Sequence, residues 1–141
     1  MKTLKEYLNN FGLFDENKSW VFTVVKPGFS QYSQQIIDKF AKNGWRVAKT
    51  KTKQLLLKEA CKLYEIHKDE DFYKDLCKYM SSGISTAILY TKDEPMTNKL
   101  FKEVDKIKDE IRDEYGESDM RNVMHSSDSL EHMKFEASIY F

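Results

Sequence analysis

Apolar positions along this chain change rhythm several times, and each change marks an element. Trp20-Val21-Phe22-Thr23-Val24-Val25 is an unbroken β-branched and aromatic run that stops at Lys26-Pro27-Gly28, which predicts a buried strand closed by a turn. Lys26 therefore emerges at a strand end. Ile36, Ile37, Phe40 and Ala41 follow at helical spacing, Asn43-Gly44 stops that helix, and Trp45-Arg46-Val47-Ala48 resumes as a strand. Leu56, Ala60, Leu63 and Tyr64 predict a helix face between 56 and 66, and Phe72, Leu76 and Tyr79 mark a short second one before Gly83. Thr86-Ala87-Ile88-Leu89-Tyr90 reads as a strand, and Leu100, Val104, Ile107 and Ile111 recur as a helix requires.

Strand-helix-strand passages with further helices between them fit an α/β (α+β) sandwich, an antiparallel sheet covered by helices. Residues 1-18 precede it as a leader. Leu4, Tyr7, Leu8 and Phe11 give that leader one apolar helical face, ahead of the polar turn Asp15-Glu16-Asn17-Lys18. Residues 19-141 form the domain proper. No GxxxxGK[ST] and no GxGxxG occurs, so neither a P-loop nor a dinucleotide fingerprint accounts for any nucleotide binding.

Charge narrows the partners. Lys+Arg and Asp+Glu number 23 each, so no net field draws the protein to nucleic acid or an anionic membrane, and nucleic acid is an unlikely partner. Residues 39-58 do carry Lys39, Lys42, Arg46, Lys49, Lys51, Lys53 and Lys58 without an acid among them. Lysines alternating with threonines over 49-53 suit an exposed, protected edge strand better than a nucleic-acid patch. With no secretory core, no apolar run near the length of a membrane span, and Cys61 and Cys77 outside any CxxC pair, the expectation is a cytoplasmic protein with reduced thiols and no membrane.

The chemistry concentrates in Arg121-Asn122-Val123-Met124-His125-Ser126-Ser127-Asp128-Ser129, with Glu131 and Glu136 beyond. A neutral imidazole keeps a ring-nitrogen lone pair and can attack an electrophilic phosphorus without a separate base. A carboxylate on its other nitrogen, Glu136 or Glu131, would fix the tautomer and stabilise the cation that forms. The plain structural alternative is a turn histidine, with Asp128 or Ser129 capping a helix that starts near Leu130. Both can hold together. His67 lies near a helix end and His132 beside Glu131, and neither is expected to handle phosphate.

This segment resembles the nucleoside diphosphate kinase signature, in which an asparagine stands three residues before the active histidine and a small residue and Ser-Asp-Ser follow it. Other landmarks come in the family's order: Val24-Val25-Lys26-Pro27, Phe40 with Gly44-Trp45, Tyr64, His67-Lys68, Phe72-Tyr73, Tyr79-Met80-Ser81-Ser82-Gly83 and Ile111-Arg112-Asp113. The resemblance implies a ferredoxin-like fold and ping-pong transfer of the γ-phosphate of ATP to a nucleoside diphosphate through a phosphohistidine. It implies Mg2+ carried on the nucleotide phosphates and a homo-oligomer. Lys26, Tyr64 and Arg112 would contact phosphates, Asn122 and Lys26 the ribose, and Ser127 with Glu136 would orient His125. Phe72, with Leu76 one turn on, fits the place where the family stacks a base.

The chain departs from the family in places. It lacks the aspartate after Lys26-Pro27, and between Tyr90 and Arg112 it runs a few residues short. That interval holds the family's nucleotide-facing loop with an arginine and a threonine, and Lys102 is the substitute for the arginine. Asp119 falls where the family sets an apolar residue against the base. A reading from another class is a non-catalytic nucleotide-binding or assembly module on the same fold.

Overall fold

The computed structural model describes residues 17–127 and 129–141. The leader helix expected within 1–18 and the capping role considered for Asp128 lie outside them. Strand β1 (Ser19–Val25) pairs antiparallel with β3 (Ser85–Lys92) on one side and with β4 (Met124–Ser126) on the other. Strand β2 (Arg46–Lys53) pairs with β3, giving the order β2-β3-β1-β4. A central strand must be covered on both faces, which is why β1 reads as an unbroken apolar run rather than an alternating one.

Among the described residues five α-helices do the covering: α1 (Ser33–Lys42), α2 (Leu57–Leu63), α3 (Tyr73–Ser81), α4 (Asn98–Tyr115) and α5 (Leu130–Tyr140). Alternation along the strands divides the core in two. Phe22, Val24, Ala87 and Leu89 pack with Ala60 and Leu63 of α2, Met80 of α3 and Met133, Ala137 and Tyr140 of α5. Val21, Val25, Ile88 and Tyr90 face the opposite way, onto Ile36 and Phe40 of α1 and the stripe Leu100, Val104, Ile107 and Ile111 of α4. Each Val, Leu, Ile, Phe or Met among them, fully withdrawn from water, contributes roughly 1.5–3 kcal/mol. The architecture is the ferredoxin-like sandwich that the family resemblance implies.

Strand β2 is an edge strand, as its lysines suggest, and its neighbourhood is not a bare cationic patch. Lys39 pairs with Glu114 at 3.1 Å, Arg46 with Asp93 at 2.8 Å and Lys53 with Glu59 at 2.8 Å. The interval before Arg112 opens with a short turn, as a shortened loop requires. Thr97 then caps α4 by accepting the Leu100 amide at 3.3 Å, and one unbroken helix of 18 residues runs to Tyr115. This is the helix that the spacing of Leu100, Val104, Ile107 and Ile111 predicts.

Candidate active site

Strand register decides where the histidine points. His125 of β4 stands opposite Val24 of β1, and directly paired residues of an antiparallel ladder project to the same face. Val24 faces the layer of α2, α3 and α5, so His125 does too. Helix α5 is capped by Ser129, whose Oγ accepts the His132 amide at 3.1 Å. Its buried stripe Met133, Ala137 and Tyr140 then brings Glu136 in against the strand.

There Nε2 of His125 lies 2.9 Å from Oε1 of Glu136, while the Ser127 hydroxyl donates to Oε2. An ionised carboxylate can only accept, so the proton sits on Nε2 and the lone pair on Nδ1. The Tyr64 ring, just past the end of α2, meets the imidazole edge-on with centroids 5.3 Å apart. Its hydroxyl is buried and has no hydrogen-bond partner among the described residues, and burial pushes its pKa well above the usual tyrosine range.

Two cations converge on the same place. Lys26 leaves the end of β1 only 4% exposed, and its Nζ donates to the Asn122 side-chain oxygen at 2.7 Å and the Met120 carbonyl at 3.2 Å. Arg112, in the last turn of α4, donates from Nη2 to the Met124 carbonyl at 2.9 Å, and its Nε is buried with no partner among the described residues. These bonds end on neutral oxygens. Burial, with the Arg112 charge adding to it, lowers the Lys26 pKa to about 7, and burial likewise lowers that of Arg112. Two desolvated cations and an orphaned hydroxyl beside an oriented imidazole make a receptor for a polyanion.

The backbone that presents these groups is itself unusual. Val123, fully buried between Asn122 and Met124, has φ of 80°, a region that β-branched residues rarely enter. The Met124 amide donates to the Asn122 carbonyl at 3.0 Å, and the Lys26 amide donates to the Val123 carbonyl at 2.8 Å. The tight turn aims Asn122 at Lys26 while the next residues join the sheet. Strained backbone of this kind collects at functional sites.

A family model described as nucleoside diphosphate kinase matches residues 20–141. The chain belongs to the nucleoside diphosphate kinase family. It is 38% identical over 112 residues to the nucleoside diphosphate kinase of Campylobacter lari, covering 76% of this chain and 82% of that one. With the Kosmotoga olearia nucleoside diphosphate kinase it shares 32% over 127 residues, covering 85% and 86%. Its fold is similar to the crystal structure of the Aquifex aeolicus nucleoside diphosphate kinase, with a TM-score of 0.75 at 24% identity over 88% of this chain and 95% of that one.

Within this nucleoside diphosphate kinase domain, His125, Glu136, Ser127, Lys26, Tyr64, Arg112 and Asn122 come together from five separate segments. Phe72 stands exposed at the N-terminal edge of α3, its ring centroid 5.6 Å from that of His67. Leu76, by contrast, is buried in the core beside Leu63 and Met80. Lys102 is exposed on α4 and lies ten residues before Arg112, about 15 Å along the helix axis, so the fold does not bring it into the cluster. Lys108 is nearer, donating to Ser126 Oγ at 3.2 Å. A cleft of about 310 Å3 reaches His125, Tyr64 and Glu136, and both His67 and His132 line it. Sequence reasoning sets those two histidines aside, and only a 3-10 turn at Glu65–His67 facing α5 brings them there.

Proposed function

We propose that the protein is a nucleoside diphosphate kinase that works through a phosphohistidine on His125. The carrying observation is the His125–Glu136 pair, which fixes the proton on Nε2 and frees Nδ1 in a site where the Tyr64 ring meets the imidazole and the Lys26 ammonium lies 5.9 Å from the Tyr64 ring centroid. The Nδ1 lone pair attacks the γ-phosphorus of ATP or another triphosphate. The bond from that phosphorus to the bridging oxygen breaks, and its electron pair leaves with the diphosphate. Glu136 stabilises the resulting cationic ring. A second nucleoside diphosphate then enters, its terminal oxygen attacks the same phosphorus, and the P–N bond breaks.

Lys26, Arg112 and the Tyr64 hydroxyl support charge on the transferring group. Asn122 and Lys26 hold the ribose, and the exposed Phe72 ring stacks the base. Mg2+ is taken to arrive on the nucleotide, where it neutralises and orients phosphate oxygens.

No described helix is long and apolar enough to cross a membrane, and we place the protein in the cytoplasm. Val47 on the edge strand, with Leu56 and Leu57 just after it, leaves large apolar side chains exposed, which supports self-association into a homo-oligomer. Light scattering at working concentration reads that directly.

The test of the kinase reading is transfer from ATP to GDP, CDP, UDP and dTDP by the protein and its His125→Ala variant. His125-dependent transfer, with acid-labile and base-stable label from [γ-32P]ATP, is the expected result. A folded variant that keeps transferring would sink the assignment. Nucleotide retained without label would mark a binding module instead.

A further inference from the structure

Arg121 stands apart from the cations around His125, yet three segments of the chain meet on its side chain. Its guanidinium carbon is 5.3 Å from the Phe29 ring centroid and 5.3 Å from that of Tyr79. Nη2 donates to Glu117 Oε2 at 3.0 Å. A Cβ on Gly28 would come within 2.8 Å of the same nitrogen, and Gly28 has φ of 91°, so this turn accepts the guanidinium only because it carries no side chain there.

Each partner belongs to a different piece of the site's frame. Gly28 and Phe29 are in the turn that follows Lys26. Tyr79 is on α3, and its hydroxyl also donates to the Pro27 carbonyl. Glu117 and Arg121 close one loop, with the Glu117 and Ser118 amides donating to the Arg121 carbonyl at 2.8 and 3.2 Å and the Arg121 amide donating to Ser118 Oγ at 3.0 Å.

An exposed ion pair such as Arg121–Glu117 holds little by itself. A planar guanidinium that also contacts two rings is restrained in both tilt and position. What it restrains is specific, because Met120 and Asn122, the residues on either side of it, are the two that accept from the Lys26 ammonium.

We propose that Arg121 is a positioning residue, which locks the turn after Lys26 to the 117–122 loop so that Lys26 and Asn122 meet the nucleotide sugar as one unit. The inference rests on the ribose role proposed for those two side chains. Arg121 touches no substrate. It acts by keeping the ammonium and the amide at their mutual 2.7 Å when the nucleotide arrives.

The readout is sugar discrimination, measured as kcat/KM for a 2′-deoxynucleoside diphosphate divided by that for its 2′,3′-dideoxy analogue. This ratio is independent of how much enzyme is folded, so loss of stability does not imitate the effect. Arg121→Met is expected to lower it about tenfold, the size of one well-placed hydrogen bond, as Lys26→Met and Asn122→Ala do. Arg121→Lys, which keeps a cation near the rings but not the planar guanidinium, is expected to fall between the parent and Arg121→Met.

Equal losses on both sugars in Arg121→Met, while Lys26→Met and Asn122→Ala still lower the ratio, would overturn the positioning role alone. A ratio unmoved by all three variants would overturn the ribose reading and the positioning role together.

Discussion

Glu136 holds His125 through Nε2 at 2.9 Å while its second oxygen accepts the Ser127 hydroxyl. Both carboxylate oxygens are thus engaged before any substrate arrives. In the mechanism proposed above, their common task is to support an imidazole whose charge rises during transfer. Glu136→Gln keeps the shape and one acceptor but removes the negative charge. It is expected to lower kcat about 10–100-fold with KM nearly unchanged. A rise in KM alone would place Glu136 in binding rather than in support of the histidine, and steady-state kinetics separates the two.

The Lys26 ammonium has only neutral oxygens for partners, and its pKa falls to about 7. Unfolded lysine titrates near 10.5, so between pH 7 and 10.5 the unfolded chain binds more protons than the folded one at this site. Its contribution to stability therefore rises with pH across that window. Below about pH 7 the buried charge weighs on the free protein in full. Lys26→Met is expected to gain most relative to the parent near pH 6 and least near pH 10, in denaturant titrations run at each pH. Phosphate binding supplies the missing anion. Calorimetry of ADP binding at pH 8 in buffers of different ionisation enthalpy is expected to show proton uptake in the parent and none in Lys26→Met.

Tyr64 buries a hydroxyl that finds no partner among the described residues, and an unsatisfied buried polar group costs about 1–3 kcal/mol. Tyr64→Phe is accordingly expected to leave the ligand-free fold as stable as the parent, or about 1 kcal/mol more so, while lowering phosphoryl transfer. A variant that is both less stable and fully active would show that the hydroxyl has a structural partner and no role in charge stabilisation.

Two glycines separate backbone cost from site geometry. Gly28 and Gly44 both have positive φ, 91° and 87°, and an added Cβ in that region costs roughly 1–2 kcal/mol. Only Gly28 has the Arg121 guanidinium against it. Gly28→Ala and Gly44→Ala are expected to lose similar stability in urea titrations, with transfer impaired in the first and preserved in the second. Equal activities would mean that the turn after Lys26 tolerates a displaced Arg121.

Part of this site is written locally. Lys26 emerges at a strand end because a β-branched run stops at Lys-Pro-Gly, and His125 draws attention because small polar residues crowd around it. The functional roles of Lys26 and Arg112, and the choice of Glu136 over Glu131, come from the family resemblance, because a lysine after a strand or a charge on a helix is by itself an ordinary solvated group. What escapes such reading depends on contacts between distant segments. Phe29 and Tyr79 have no feature that announces a shared guanidinium. His132 looks like a solvated helix position until the 3-10 turn at Glu65–His67 is placed opposite it. Val123 is an ordinary strand residue by composition, and only the need to turn Asn122 toward Lys26 gives it φ of 80°. Lys102 is picked out by its place in the interval, whereas the fold selects by helical phase and brings Lys108 close to the histidine strand instead.

The unbroken course of α4 has a mechanical consequence. A helix of 18 residues moves as a rod, without the terminal hinges by which a loop folds down over a substrate. The segment that carries Arg112 therefore has little internal freedom, whereas the 3-10 turn Glu65–His67 lines the cleft with Ile66 62% exposed and is the segment expected to close on a nucleotide. Amide exchange is expected to be fast over 65–68 and slowed there by nucleotide, with 100–112 protected in both states. If His125 carries the phosphoryl group between two half-reactions, as proposed, its survival against water then depends on how quickly the next diphosphate arrives and closes that turn.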